Sequence, residues 1–272
     1  MARYGYLFIK KIYNAENTKL KKNDTIYTII KKIGLGTIKY YNIVFPEGLT
    51  TENILYEISQ NNILIGNTPQ KVSEGELFPS TYQIVRSEER AHLVERMKKE
   101  MNTVLQKEWG NRDPDLPFKT PYQALILASI LEKEVGASYC PTDEYKNVAS
   151  VFINRLKKPM RLESSPTVFY GLLIKNMKHG DVNTLARNPT LSELKVCHPY
   201  NTYCIKGLPP TPICNPSGRA IKAVLHPAKT DYLFFMSDGN NCHSFSNNFE
   251  DHKINRSKYN KTMKTKKTNL TK

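Results

Sequence analysis

The chain has 272 residues, with 40 Lys and Arg against 25 Asp and Glu and a formal net charge of +15. That length supports a sizeable core in one large domain or two, and 39% hydrophobic with 10% aromatic residues excludes an intrinsically disordered chain. The basic excess, discounted in part as nucleotide bias in a chain rich in Lys, Asn and Ile, favours a polyanionic partner: nucleic acid, an anionic membrane surface, or a wall polymer bearing peptide carboxylates.

Residues 4–9 are apolar and aromatic, but Lys10 and Lys11 stop the run far short of a membrane helix. Residues 25–30 and 38–45 are rich in β-branched and aromatic side chains and are predicted as strands, with Gly34 to Gly36 as the turn between them. Pro46 to Gly48 end the second strand, and Thr50 or Thr51 caps a short helix carrying Ile54, Leu55 and Ile58. Residues 74–82 read as a loop, followed by a helix over about 87–109 with Leu93, Met97, Met101, Val104 and Leu105 inward. Residues 111–120, with two Asp/Leu-Pro steps, form a linker and a candidate domain boundary. Thr120-Pro121 opens the next helix and Gly136 closes it. A helix starting at 142–144 carries Tyr145, Val148, Val151, Phe152 and Leu156 on one side. Residues 160–165 alternate polar and apolar, as an edge strand does, before Pro166. A third helix is expected over about 216–225, then a hairpin of strands at 232–236 and 243–245. The tail beyond Ser257 holds six lysines and few apolar residues, and is predicted to be disordered and attracted to anions.

Glu134 is the first candidate for chemistry. It follows Leu127, Ile130 and Leu131 by seven, four and three residues, so a helix stacks it on their apolar face. A carboxyl held against apolar neighbours resists ionising, and one still protonated near neutral pH can donate to a leaving group. The bland alternative is a helix-end glutamate reaching solvent. Glu132, on the neighbouring face, is an alternative acid or a partner for Arg155 or Lys133. Read as a strand, residues 161–165 put Arg161, Glu163 and Ser165 on one side, and Glu163 is the nearest second carboxylate for glycosidic-bond chemistry. Thr167 and Tyr170 follow. The loops at 199–203 and 207–213 offer Asn201 and Tyr203 for sugar hydroxyls and faces, although prolines fixing a structural loop explain them equally well. His226 and His243 lack a metal-ligand partner at helical spacing. The five cysteines form no C-x-x-C pair, which argues against a zinc or redox motif and leaves room for one disulfide in the last third. Nucleotide-binding and hydrolase-elbow signatures are absent from the sequence.

The strings SILEKEVG, VASVFINRL, MRLESSPTVFYG, PYNTYCIKGLPPTPICNP, LHPAKTDYLFF and SDGNNCHSF occur in this order, with VFPEGLT and ELFPSTY upstream. Together they resemble the YceG-like family, the MltG endolytic murein transglycosylases, over about residues 38–256. The resemblance implies an α+β fold: a small N-terminal α/β module over 1–70, the remnant of a LysM-like region, a mixed α+β catalytic domain over 71–256, and the basic tail over 257–272. It implies non-hydrolytic cleavage of the β-1,4 link between N-acetylmuramic acid and N-acetylglucosamine in peptidoglycan, leaving a 1,6-anhydro end, with no metal or other cofactor. The second Glu of the family's E-K-E motif falls on Glu134 as the catalytic acid and base. Glu132, Arg161, Glu163, Thr167, Tyr170, Asn201, Tyr203 and His243 are the expected substrate-binding residues.

The family is membrane-anchored, with its enzyme domain on the periplasmic face, and is thought to end nascent glycan strands beside peptidoglycan synthases. The sequence departs from the family pattern at Val135, where a Thr is common, at Ser165, where an Asp is usual, and at Cys242, where a Gly stands. No membrane helix is visible, and the LysM-like part reads as truncated. The rival expectations are a lysozyme-like hydrolase pairing Glu134 with Glu163, and a non-catalytic wall- or membrane-binding relative. Nucleic acid is set aside, because the charge comes without a basic-aromatic recognition module.

Overall fold

A computed structural model describes residues 21–35, 39–136, 140, 143–176, 189–240 and 242–270. The expected turn at Gly36 and the apolar stretch at 4–9 lie outside them. The described chain is α+β, dominated by helices. It begins with α1 (Ile26–Leu35), where a strand was expected at 25–30. Local polar bonds explain the difference: the Thr25 hydroxyl accepts from the Thr28 N–H, and Lys32 pairs with Asp24 at 2.5 Å. Such N-terminal bonds outweigh a weak β propensity.

The predicted strand at 38–45 shortens to β1 (Tyr41–Val44), which pairs antiparallel with β2 (Thr81–Ile84) in the register Tyr41 with Ile84 and Val44 with Thr81. Between them lies α2 (Thr51–Gln60), capped by the Thr50 side chain. The next helix is α3 (Arg90–Gly110). Its first half, with Leu93, Val94 and Met97, closes one apolar cluster with Phe45, Ile54, Ile58, Leu77 and Ile84. Its second half, with Met101 and Leu105, enters another.

That second cluster surrounds α4 (Pro121–Val135), which begins at its Thr120 cap and stops at Gly136, where φ is +55°. Every residue from Ala124 to Glu132 is buried, because α3, α5 (Glu144–Lys157) and α8 (Gly218–Leu225) pack on α4. An apolar run on all sides of a helix is what such enclosure needs, and each large side chain removed from water contributes about 1.5–3 kcal/mol.

The expected edge strand at 160–165 does not form. Residues 160–164 are irregular, Glu163 has φ +51°, and α6 (Ser165–Asn176) starts with Pro166 in its first turn. Proline there is preorganised for a helix start, and the alternation that suggested a strand comes from a loop with one buried residue on each side of Glu163. A short α7 (Leu191–Leu194) carries a capping box. The hairpin is as expected, β3 (Phe234–Ser237) with β4 (His243–Ser246).

The tail is a helix, α9 (Phe249–Leu270), where disorder was expected. Its order comes from docking rather than propensity. Phe249 and His252 pack on Phe234, and Tyr259, Thr262 and Met263 lie over Gly239 in the hairpin turn. Where the sequence left room for one disulfide in the last third, two are present, Cys140–Cys242 and Cys197–Cys204, and Cys214 is a buried thiol.

Candidate active site

The C-terminal turn of α4 carries two carboxylates that face different surroundings. Glu132 is buried. It accepts from the Tyr145 hydroxyl at 2.8 Å, the Ser217 N–H at 2.8 Å and the Ser217 hydroxyl at 2.5 Å. Ser217 is the N-cap of α8, so Glu132 ties α4 to α5 and α8.

Glu134 is partly exposed yet densely surrounded by protein. Its Oε1 accepts from the Ser164 hydroxyl at 2.6 Å, and the Ser165 N–H at the start of α6 also reaches the carboxyl. Burial pushes the Glu134 carboxyl above the usual glutamate range. The Ser164 hydrogen bond, the charges of His243 and Arg155, and the Ser165 N–H oppose that rise, in that order. The combination suits a group that must carry a proton and then survive without it: apolar packing favours the acid, while fixed donors stand ready for the anion.

Arg155 of α5 holds the loop before α6 in place. Its guanidinium donates to the carbonyls of Leu233 at 2.7 Å, Leu162 at 2.8 Å and Arg161 at 3.3 Å, and lies 3.6 Å from Glu163. Glu163 is about half exposed, at 48% of its side chain. Its charge and that of Glu134 both act on Tyr203, whose phenol burial pushes upward and whose hydroxyl is 3.3 Å from that of Ser165. On the other side, His243 of β4 places Nδ1 2.5 Å from Glu144.

Among the expected site residues, Tyr203 lies beside Ser165, Glu163 beside Arg155, and the charge of His243 reaches Glu134. The others lie differently. The Arg161 side chain is exposed. Thr167 is buried, with its hydroxyl on the Ser164 carbonyl at 2.6 Å, so it shapes the loop that presents Ser164. Asn201 spends its buried amide on the carbonyls of Leu194 and Val196. Tyr170 donates to Glu74 at 3.2 Å, within a polar node where Thr51, Gly75 and Asn215 also bond Glu74. A small cavity of about 20 Å³ lies beside this node, lined by Gly48, Thr50, Asn53, Lys133, Pro166 and Tyr170 among others, next in sequence to Glu134 and Ser165.

Sequence reasoning missed Ser164 and Glu144 as partners. Ser164 could have been found as the hydroxyl preceding a Pro-started helix; Glu144 carries no local signal. Cys140, Glu144 and Cys242 bring donor atoms within 4.8 Å of one another, but both sulfurs are spent on the crosslink, so the trio does not suit a metal.

The family model of the YceG-like family matches residues 10–258. The chain belongs to the YceG-like family. It is 30% identical over 246 residues to an endolytic murein transglycosylase of Bacillus subtilis, covering 90% of this chain and 60% of that one. A Streptococcus pneumoniae endolytic murein transglycosylase is 31% identical over 229 residues, with 78% of this chain and 39% of the relative aligned. The chain thus spans less than two thirds of either relative's length. A crystal structure of a YceG-like protein from Listeria monocytogenes superposes with a TM-score of 0.60 at 26% identity, covering 92% of this chain and 89% of that one. Among the described residues, no helix is long and apolar enough to cross a membrane.

Proposed function

We propose that this YceG-like protein is an endolytic lytic transglycosylase of peptidoglycan, with Glu134 as its acid and base. The observation that carries the reading is a carboxyl pushed towards its protonated form by burial, with a serine hydroxyl and a helix-start N–H already bonded to it. In the first step the Glu134 carboxylic acid protonates the oxygen between muramic acid C1 and glucosamine C4. The C1–O bond breaks and charge develops on the sugar. Glu134 is now a carboxylate, stabilised by Ser164, Ser165, His243 and Arg155. In the second step it takes the proton of the muramic acid C6 hydroxyl, whose oxygen bonds to C1. The 1,6-anhydro ring closes, Glu134 recovers its proton, and no water is consumed.

Glu163, Tyr203 and His243 would meet the sugars nearest the cut, with the exposed Arg161 further along the glycan. The relatives' name, endolytic murein transglycosylase, supports this substrate. The reading extends to action on nascent strands at the membrane, on its periplasmic face, beside the synthases that make them. The outer side of α9, with Lys253, Lys258 and Lys261, adds attraction to an anionic membrane surface.

Digestion of purified sacculi by the wild type and by Glu134→Gln, with mass analysis of the fragments, tests the proposal. Anhydro ends made by the wild type and lost in the variant are expected. Reducing ends would point to a hydrolase using Glu163 as second carboxylate, and intact sacculi to a wall-binding protein.

A further inference from the structure

His243 is held more firmly than a residue that merely touches a sugar needs to be. Glu144, with only 2% of its side chain exposed, binds it twice: its Oε1 accepts from the His243 backbone N–H at 3.1 Å and its Oε2 lies 2.5 Å from Nδ1. The imidazole is gripped on its faces and edges by Phe235 and Phe245, with ring centroids 5.5 and 6.4 Å away. The residue before it, Cys242, is crosslinked to Cys140, which follows the end of α4. The residue after Glu144, Tyr145, bonds both Glu132 and the Gly136 carbonyl at that same end, at 2.8 and 3.1 Å. Among the described residues, these hydrogen bonds tie the first turn of α5 to the start of β4 and the end of α4, and the crosslink ties the start of β4 to Cys140, four residues past Gly136. The charge of His243 reaches Glu134 across this junction.

We propose that Glu144 is a positioning residue that aims His243 at the Glu134 carboxyl, and that the Cys140–Cys242 crosslink holds that aim. A buried carboxylate on Nδ1 fixes the ring's orientation, leaving Nε2 as the end of the ring directed away from Glu144. A cation placed beside a general acid favours its ionised form. The pair therefore supports Glu134 when it has given up its proton and must act as a base. Glu144 is too enclosed to meet a glycan and acts through His243. The inference rests on the reading of Glu134 as the acid–base group, and its test does not depend on turnover.

Among the described residues, the other charged and titratable groups coupled to Glu134 are Arg155 from α5 and Tyr203 from the loop after α7, with Glu163 beside Arg155; none of them is substituted in the variants. The experiment is carboxyl carbon-13 NMR of the full chain labelled at glutamate, with the Glu134 signal assigned by its loss in Glu134→Gln. In His243→Asn the titration midpoint of Glu134 rises, by about half a pH unit or more. In Glu144→Gln it rises in the same direction by a smaller amount. Adding Glu144→Gln to His243→Asn moves it no further.

On sacculi, Glu144→Gln lowers kcat several-fold with KM unchanged and moves the alkaline limb of the pH profile upward. Cys140→Ser with Cys242→Ser reproduces both changes in weaker form, and Glu144→Asp replaces Glu144→Gln if that variant does not fold. An unmoved midpoint in His243→Asn overturns the proposal. So does a Glu144→Gln shift of equal size with and without His243, which is the mark of a structural role. If Glu134→Gln still cleaves sacculi, the proposed function fails while the NMR coupling is read independently.

Discussion

The two faces of the last turn of α4 hold chemically identical groups and treat them in opposite ways. On the Glu132 face, three fixed donors from Tyr145 and Ser217 hold a sealed carboxylate. On the Glu134 face, one hydroxyl and one N–H meet a carboxylate that remains partly open to solvent. Glu132 has both oxygens engaged by fixed donors and no path to a substrate, so it serves as a joint between three helices. Glu134 keeps an opening to solvent. Burial alone would have selected the wrong glutamate; the number of committed donors separates a joint from a reactive group.

The largest effect expected is on chemistry. Glu134→Gln should cut sacculus digestion by about 10²–10⁴-fold, the range removed with a general acid–base group, while its melting temperature at neutral pH is no lower than the wild type's. Glu132→Ala should do the reverse. Orphaning the Tyr145 and Ser217 donors should cost about 2–4 kcal/mol in denaturant titrations, with activity per folded molecule within a few-fold of wild type. Similar activity losses in the two variants would erase the distinction.

A smaller effect sharpens it. Ser164→Ala removes a bond that favours the ionised form of Glu134, so the carboxyl should hold its proton to higher pH and the alkaline limb of activity should move upward. A downward move would mean that Ser164 supports the acid instead.

The smallest effect is on stability against pH. A carboxyl raised in the folded state binds its proton more tightly there than in the unfolded chain. Its contribution is therefore fully present below the ordinary glutamate range and is lost as pH rises through the raised value. Thermal melts of wild type and Glu134→Gln should diverge over that interval, with the wild type losing ground as pH rises. Parallel curves would remove the shift on which the acid role depends.

Much of this was legible in the sequence where bonds are local. Thr120, Pro121 and Gly136 fix both ends of α4 within one turn of each end, and the Glu134 spacing pointed to its apolar contacts. The reading failed where distant chain decides. Residues 160–164 alternate like a strand, yet Arg155 pins their carbonyls and Thr202 bonds the Ser164 N–H, so they bend into a loop. His243 looked solitary because Glu144 lies 99 residues away. The lysine-rich tail looked unable to fold because its few apolar residues, such as Tyr259 and Met263, meet a hairpin turn rather than one another. Glu132 looked interchangeable with Glu134, since nothing near it in sequence announces Ser217.

The long helix α3 has a practical consequence. Leu93, Val94 and Met97 belong to one apolar cluster, and Met101 and Leu105 to the other, with no break in the backbone between them. Trimming the chain to begin at residue 71 would strip Phe45, Ile54 and Ile58 away and leave a greasy band along half of a continuous rod. Such a fragment should precipitate or self-associate, and the intact protein should melt in a single calorimetric peak, because neither cluster can loosen without bending a shared strut.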